Sequence, residues 1–126
     1  MEPLLIEATK SSPKIEFNQN TETYRIEGQS YPENIVIFFT PIFEWVNKFL
    51  ITLDKPATFD INLTYINTSS SKAMMMLFDL FEEAFSKGSS ISVNWYYHKE
   101  NEMGLEYGQE FKEDLSFPFN IIEIED

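Results

Sequence analysis

The most constraining feature of the chain is an alternating apolar run that leads directly into a helical pattern and then into a second alternating run. Residues 58–65 predict a strand, and one face of it carries Phe59, Ile61, Leu63 and Tyr65. A helix is predicted from about Ser69 to Lys87, and Gly88 follows where helices commonly end in a left-handed residue. Residues 91–97 alternate again. A strand, a helix and a strand in this order imply a crossover connection.

The N-terminal part predicts a short strand at Leu4–Ile6 and a hairpin formed by residues 14–18 and 23–27. A first helix opens near residues 31–33 and continues to Leu50 with three-and-four apolar spacing. Pro41 lies inside this pattern, and its missing N–H predicts a kink or a break. We expect one kinked helix, and the alternative is a strand over residues 35–39 followed by a helix from Pro41.

The C-terminal part predicts a third helix over residues 100–115 and a last strand over residues 117–124. The stripe of this helix is formed by Met103, Tyr107, Phe111 and Leu115. Pro118 favours an edge or the start of a strand. The predicted order is β-β-β-α-β-α-β-α-β, which indicates one α/β domain over residues 1–126, with a mixed sheet and about three helices.

The negative net charge of the chain limits the classes of macromolecule that can be its partner. The chain has 9 basic and 21 acidic residues, a net charge of −12, and residues 100–126 hold nine of the acids against one base, Lys112. Such a chain is repelled by nucleic acid and by anionic membrane surfaces, so we expect neither as a partner. Protein partners fit this charge, although solubility alone also explains it. No signal peptide or membrane span is recognised, and a cytoplasmic location is expected.

Catalytic chemistry finds little support in the residues. The chain has no cysteine, which excludes disulfides, thiolate nucleophiles and cysteine-bound zinc. No Gly-x-Ser-x-Gly motif or phosphate-cradling glycine loop is present, and the only histidine, His98, lies in a polar turn. Glu102, Glu106 and Glu110 line one ridge of the third helix, where a solvated acidic face is the more economical interpretation than a Mg²⁺ or Ca²⁺ site. We predict no catalytic residue, no metal and no cofactor.

The junction between the central strand and the second helix is the best candidate site. It reads Asn67-Thr68-Ser69-Ser70-Ser71-Lys72. Four hydroxyls in a row lie where a helix presents unpaired N–H groups and a partial positive charge, so a phosphate would be stabilised there. The simpler interpretation is helix capping, which requires only one hydroxyl.

Two methionines extend the candidate site along the second helix. If Met74, Leu77, Phe78 and Phe81 form the buried stripe, Met75 and Met76 point outward. Exposed methionines are adaptable contact residues, which makes them candidates for partner contact. The alternative is a wider buried stripe covered by a neighbouring helix.

Several segments resemble the SiaC family of bacterial regulatory phosphoproteins. The most specific is residues 65–72, Tyr-Ile-Asn-Thr-Ser-Ser-Ser-Lys, after an alternating strand. Similar too are the opening Leu4-Leu5-Ile6-Glu7-Ala8-Thr9 with Ser12-Pro13, the segment Pro41-x-x-x-Trp45, and Ile91-x-Val93-x-Trp95-Tyr96-Tyr97. The likeness covers essentially the whole chain.

The resemblance implies a fold like that of the sulfate-transporter and anti-sigma-factor-antagonist (STAS) domain. It also implies reversible phosphorylation of Thr68 by a partner kinase, opposed by a phosphatase. In the best-known systems of this type the unmodified protein activates a diguanylate cyclase and raises cyclic di-GMP. We therefore expect a non-enzymatic switch in which Ser69, Ser70 and Ser71 shape and cap the helix start and Lys72 helps to hold the phosphate.

Two other functions remain as alternatives at this point. The first is a small anion- or nucleotide-binding module that uses the same helix start. The second, more distant, is a metal-dependent hydrolase that uses Glu102 or Glu106.

Overall fold

A computed structural model describes residues 1–125. Six strands and three helices follow one another in the predicted order. They are β1 (Leu4–Ile6), β2 (Lys14–Asn18), β3 (Thr23–Ser30), α1 (Ile35–Thr52), β4 (Ala57–Ile66), α2 (Thr68–Ser86), β5 (Ile91–His98), α3 (Glu102–Glu113) and β6 (Phe119–Ile124). The prediction of a mixed α/β fold is confirmed.

The strands form a single sheet in which spatial order equals chain order. Strands β1, β2 and β3 pair antiparallel, whereas β3, β4, β5 and β6 pair parallel through the three helices. Each crossover moves one strand in the same direction, so right-handed crossovers place all three helices on one face. Strand β6 is an edge strand, as Pro118 before it suggested. The carboxyl ends of β3, β4 and β5 lie along one edge, where all three helices begin.

The core fills the space between the sheet and the helices and is strongly aromatic. The Phe59 ring of β4 lies 5.3 Å from the Phe17 ring of β2 and 4.5 Å from the Phe81 ring of α2. The opposite face of the sheet is polar, and there Asp60 accepts hydrogen bonds from Asn94 and Tyr96. The helices therefore cover one face of the sheet, and the other carries hydrogen-bonded polar side chains.

Helix α1 runs unbroken through Pro41, which confirms one helix rather than a strand and a shorter helix. It begins at Ile35 and not near Pro32, because Asn34 caps it by accepting a hydrogen bond from the Ile37 N–H at 3.0 Å. Among the described residues it is also the one helix long and apolar enough to cross a membrane. Its buried side chains pack into the core, which central helices of globular domains also do.

The prediction that Tyr65 shares the buried face of β4 is wrong. The pairing of β3 with β4 jumps from Gly28 opposite Leu63 to Gln29 opposite Tyr65, which leaves Thr64 as an extra residue. This β-bulge reverses the alternation, so Tyr65 is 53% exposed and Ile66 is buried. The exposed Tyr65 ring packs edge-on against Tyr31.

The predicted stripe of α3 is also wrong in part. Met103 is 59% exposed, and the face towards the sheet is formed instead by Gly104, Gly108 and Phe111. The Trp95 indole N–H donates to the Gly104 carbonyl at 2.9 Å, and a Cβ added at Gly108 would lie 2.7 Å from Trp95 Cδ1. The two glycines let the helix backbone approach this buried ring.

Candidate functional site

The candidate site is the start of α2, at the edge of the sheet where β4 ends. Asn67 has extended backbone geometry and is the N-cap, because its Oδ1 accepts a hydrogen bond from the Ser70 N–H at 2.9 Å. The Asn67 carbonyl accepts from the Ser71 N–H at 2.9 Å. The cap is therefore Asn67, and the expectation that Ser69, Ser70 and Ser71 cap the helix is corrected.

Ser70 anchors the start of α2 to the neighbouring strand β3. Its hydroxyl forms a 2.7 Å hydrogen bond with the hydroxyl of Ser30 at the end of β3, and both side chains are fully buried. The Asn67 N–H also donates to the Ser30 carbonyl at 3.1 Å. Ser70 belongs to the interior, so it makes no surface contact of the kind expected for the switch region. Ser30 was missed because it lies 40 residues away along the chain.

Thr68 and Ser69 are the two exposed hydroxyl residues of the first helical turn. Within residues 1–125 the Thr68 hydroxyl has no hydrogen-bond partner, and neither do the N–H groups of Thr68 and Ser69. Unpaired N–H groups at a helix start carry partial positive charge and suit an anion. The start of α2 therefore offers two free donors close to Thr68 in sequence.

Charged and apolar side chains continue the site along α2. Lys72 is exposed, follows Thr68 by one helical turn, and forms no ion pair within the part of the chain that the structure describes. Met75 and Met76 are 53% and 57% exposed, so they lie outside the core. This is the first of the two arrangements predicted from the sequence. Ser71 is half-buried beside them.

The neighbouring helix starts add exposed apolar groups along the same edge. Val36 and Ile37 lie in the first turn of α1, Met103 lies in the first turn of α3, and all three are exposed. Asn101, the N-cap of α3, accepts from the Gly104 N–H at 3.0 Å and donates to the Thr64 carbonyl at 3.1 Å. This second bond ties the start of α3 to the bulge beside the α2 junction.

A metal site finds no support in the geometry. Over residues 1–125 no group of three histidine, aspartate or glutamate side chains could hold a metal ion. Glu102 and Glu106, the residues of the hydrolase hypothesis, are exposed on α3. Asp60 lies on the polar face of the sheet, where it accepts a hydrogen bond from Tyr96; burial, together with the negative charge of Asp60, raises the Tyr96 pKa.

The chain resembles proteins of known family and structure over nearly its full length. Residues 6–124 match the SiaC family of regulatory phosphoproteins. An uncharacterized protein of Pseudomonas aeruginosa (strain UCBPP-PA14) is 42% identical over 121 residues, which are 96% of each chain.

Solved structures resemble it as closely. The structure of SiaC of Pseudomonas aeruginosa has a TM-score of 0.91 and 40% identity, covering 98% of this chain and all of that one. The chain is also similar to SiaC in a crystal structure of the diguanylate cyclase SiaD in complex with its activator SiaC, from Pseudomonas aeruginosa. That match has a TM-score of 0.91 and 41% identity, with 96% and 99% of the two chains covered.

Proposed function

The chain belongs to the SiaC family of regulatory phosphoproteins, and we propose that it is a non-enzymatic switch phosphorylated on Thr68. The observation that carries the proposal is the exposed Thr68 hydroxyl, which no other described group engages, at the electropositive start of α2. An acceptor must be reachable by a kinase, and burial of Ser70 removes that neighbour from consideration.

Local stabilisation of the product supports the same assignment. A phosphate on Thr68 would carry about −1.5 to −2 charges and three acceptor oxygens. The free N–H groups of Thr68 and Ser69, the helix dipole and Lys72 all lie within one turn of it. The hydrogen bonds of Asn67 and of the Ser30–Ser70 pair hold the junction in place below its surface. Phosphorylation of Thr68 would therefore change the surface of the junction and leave these bonds intact.

The output of the switch is protein binding. SiaC of Pseudomonas aeruginosa activates the diguanylate cyclase SiaD, and a cyclase is the partner that we propose for this chain. Thr68 and the exposed apolar side chain of Met75 lie on the same side of α2, about two helical turns apart. A phosphate on Thr68 would therefore change the charge that a partner meets near Met75. We place the protein in the cytoplasm, where a kinase and an opposing phosphatase act on Thr68.

The test is incubation of the protein with a candidate partner kinase and ATP, followed by mass spectrometry. Thr68→Ser should still be phosphorylated, Thr68→Ala should not, and the matched variant Ser69→Ala should behave like the wild type. Cyclase binding should differ between the phosphorylated and unmodified protein and should lose that difference in Thr68→Ala. The proposal fails if phosphate is absent from Thr68, or if Thr68→Ala leaves phospho-regulated binding unchanged.

The free N–H groups of Thr68 and Ser69 also favour a second candidate, a module that binds an anion at the same helix start. Calorimetry with inorganic phosphate and with nucleotides distinguishes the two functions. Micromolar binding without any kinase would support the anion-binding module. Phosphate transfer to Thr68 without such binding supports the switch.

A further inference from the structure

A groove of about 140 Å³ separates α2 from α3. Its apolar lining comes from both helices and from the segment that follows α3, and it consists of Met75, Phe78, Phe111 and Leu115. A cavity of about 150 Å³ admits a benzene ring, so this groove has room for one large apolar side chain. Phe78 and Phe111 are buried and pack edge-to-face, with their ring centres 5.2 Å apart, which makes the floor rigid.

The rim of the groove is acidic. Asp79 on α2, Glu110 on α3 and Asp114 at the end of α3 line it, and all three side chains are exposed. No lysine or arginine is among the described residues that line this groove. A groove with an apolar floor and a negatively charged rim favours an occupant that is apolar at its centre and positively charged around it.

A contact outside the lining of the groove ties α2 to the segment that follows α3. Glu82 of α2 accepts hydrogen bonds from the N–H groups of Ser116 and Phe117, at 2.8 and 3.4 Å, in the segment that connects α3 to β6. The Ser116 N–H stabilises the carboxylate and lowers the Glu82 pKa. The two walls are therefore tied together without a partner, and little rearrangement is needed for binding.

The groove is continuous with the switch. Ser71, which lines the end of the groove nearest the helix start, follows Thr68 by three residues on the same side of α2. Met75 and Asp79 continue this row by four residues each. Met76, equally exposed, does not line the groove, because its row continues to Leu80 on the side that faces α1.

We propose that this groove is the docking site for a basic segment of the protein partner. The segment inserts one large apolar side chain onto Met75, Phe78 and Phe111. Its flanking lysine or arginine side chains meet the carboxylates of Asp79, Glu110 and Asp114. The proposal rests on the proposed function and adds to it the chemistry of the partner and the half of the α2 surface that the partner covers.

The experiment measures binding of full-length SiaD of Pseudomonas aeruginosa to the whole, unmodified chain by calorimetry at low and high salt. Met75→Lys is compared with Met76→Lys, which places the same charge on the adjacent, equally exposed position. Glu110→Lys with Asp114→Lys is compared with Glu106→Lys with Glu113→Lys, the same charge change on the same helix but outside the groove. Thermal unfolding of each variant confirms that it is folded.

We expect Met75→Lys and the groove-side double variant to weaken binding by about tenfold or more, the loss typical of a central contact. Both control variants should remain within about twofold of the wild type, and added salt should weaken wild-type binding. The groove is overturned if Met76→Lys is as damaging as Met75→Lys, if the two double variants are equivalent, or if salt has no effect. A wild-type chain that binds no cyclase overturns the proposed partner itself, and phosphorylation of Thr68 is tested independently of that result.

Discussion

The starts of α2 and α3 use the same capping chemistry but present different surfaces. In both, an asparagine Oδ1 accepts from the N–H three residues later, at 2.9 Å for Asn67 and 3.0 Å for Asn101. The first helical residue is Glu102 in α3 and Thr68 in α2, and no acidic residue lies in the first turn of α2. A carboxylate already complements the dipole of α3, whereas α2 would gain a negative charge at its start only if Thr68 were phosphorylated, as we propose.

The two helices also differ in how they are attached to the sheet. Helix α2 packs large side chains into the core and is anchored at its start by the buried Ser30–Ser70 pair. Helix α3 lies close to the sheet because Gly104 and Gly108 place its backbone against Trp95. The permanent charge of Glu102 therefore lies on a helix fixed by backbone contact, and the proposed phosphorylation site lies on a helix fixed by side chains.

The largest expected effect tests the attachment of α3. Gly108→Leu would force side-chain atoms into the fully buried Trp95 ring, and we expect it to lower the free energy of unfolding by about 3 kcal/mol. Gln109→Leu, at the exposed neighbouring position, should be close to neutral. Urea unfolding measures both. Equal stabilities would show that backbone contact with Trp95 does not hold α3.

The anchor of α2 is tested by a double-mutant cycle. Ser30→Ala or Ser70→Ala leaves one buried hydroxyl without its partner, so each should cost about 1–3 kcal/mol. The double variant should cost less than the sum of the two, since no unpaired hydroxyl remains. Denaturant unfolding gives the three values. Additive losses would mean that the two hydroxyls are not coupled as the 2.7 Å distance indicates.

The two caps should differ by a smaller amount. Asn67→Ala and Asn101→Ala each remove a cap worth about 0.5–2 kcal/mol. Asn101→Ala should cost more, because the Asn101 side chain also donates to the Thr64 carbonyl. Asn67→Asp should retain the cap, since it keeps the accepting oxygen. A larger loss in Asn67→Ala than in Asn101→Ala would reverse the expected order.

The sequence was sufficient for the order of elements because each strand and helix carries its own periodicity. A single helix α1 could be predicted because the apolar spacing continues on both sides of Pro41. The exposure of Met75 and Met76 was one of two predicted alternatives. The family could be recognised from residues 65–72 because that segment is local and specific. Whether Thr68 is phosphorylated stays a prediction.

The failures share a physical cause, which is contact between residues distant in sequence. Tyr65 was placed on the wrong face because the bulge at Thr64 depends on pairing with β3. The role of Gly108 could not be predicted from the sequence because its partner, Trp95, lies on another element. Ser70 is buried where it pairs with Ser30, which lies 40 residues away in the sequence. The Asn67 cap, in contrast, is local and could have been predicted from residues 67–70.

The smallest expected effect addresses the difference in charge between the two helix starts directly. Thr68→Glu gives α2 the permanent carboxylate of α3 and should raise the free energy of unfolding by about 0.3–1 kcal/mol, whereas Glu102→Gln should lower it by a similar amount. Asn47→Glu, which adds the same charge midway along α1, controls for repulsion in a chain of net charge −12.

Urea unfolding at low salt and at about 1 M salt measures the three variants, and both helix-start effects should shrink at high salt because screening shortens the range of the dipole. If Thr68→Glu destabilises the protein as much as Asn47→Glu does, the start of α2 offers a negative group no stabilisation. The phosphate on Thr68 would then depend on the partner alone, and the two helix starts would differ in more than the residue at their first position.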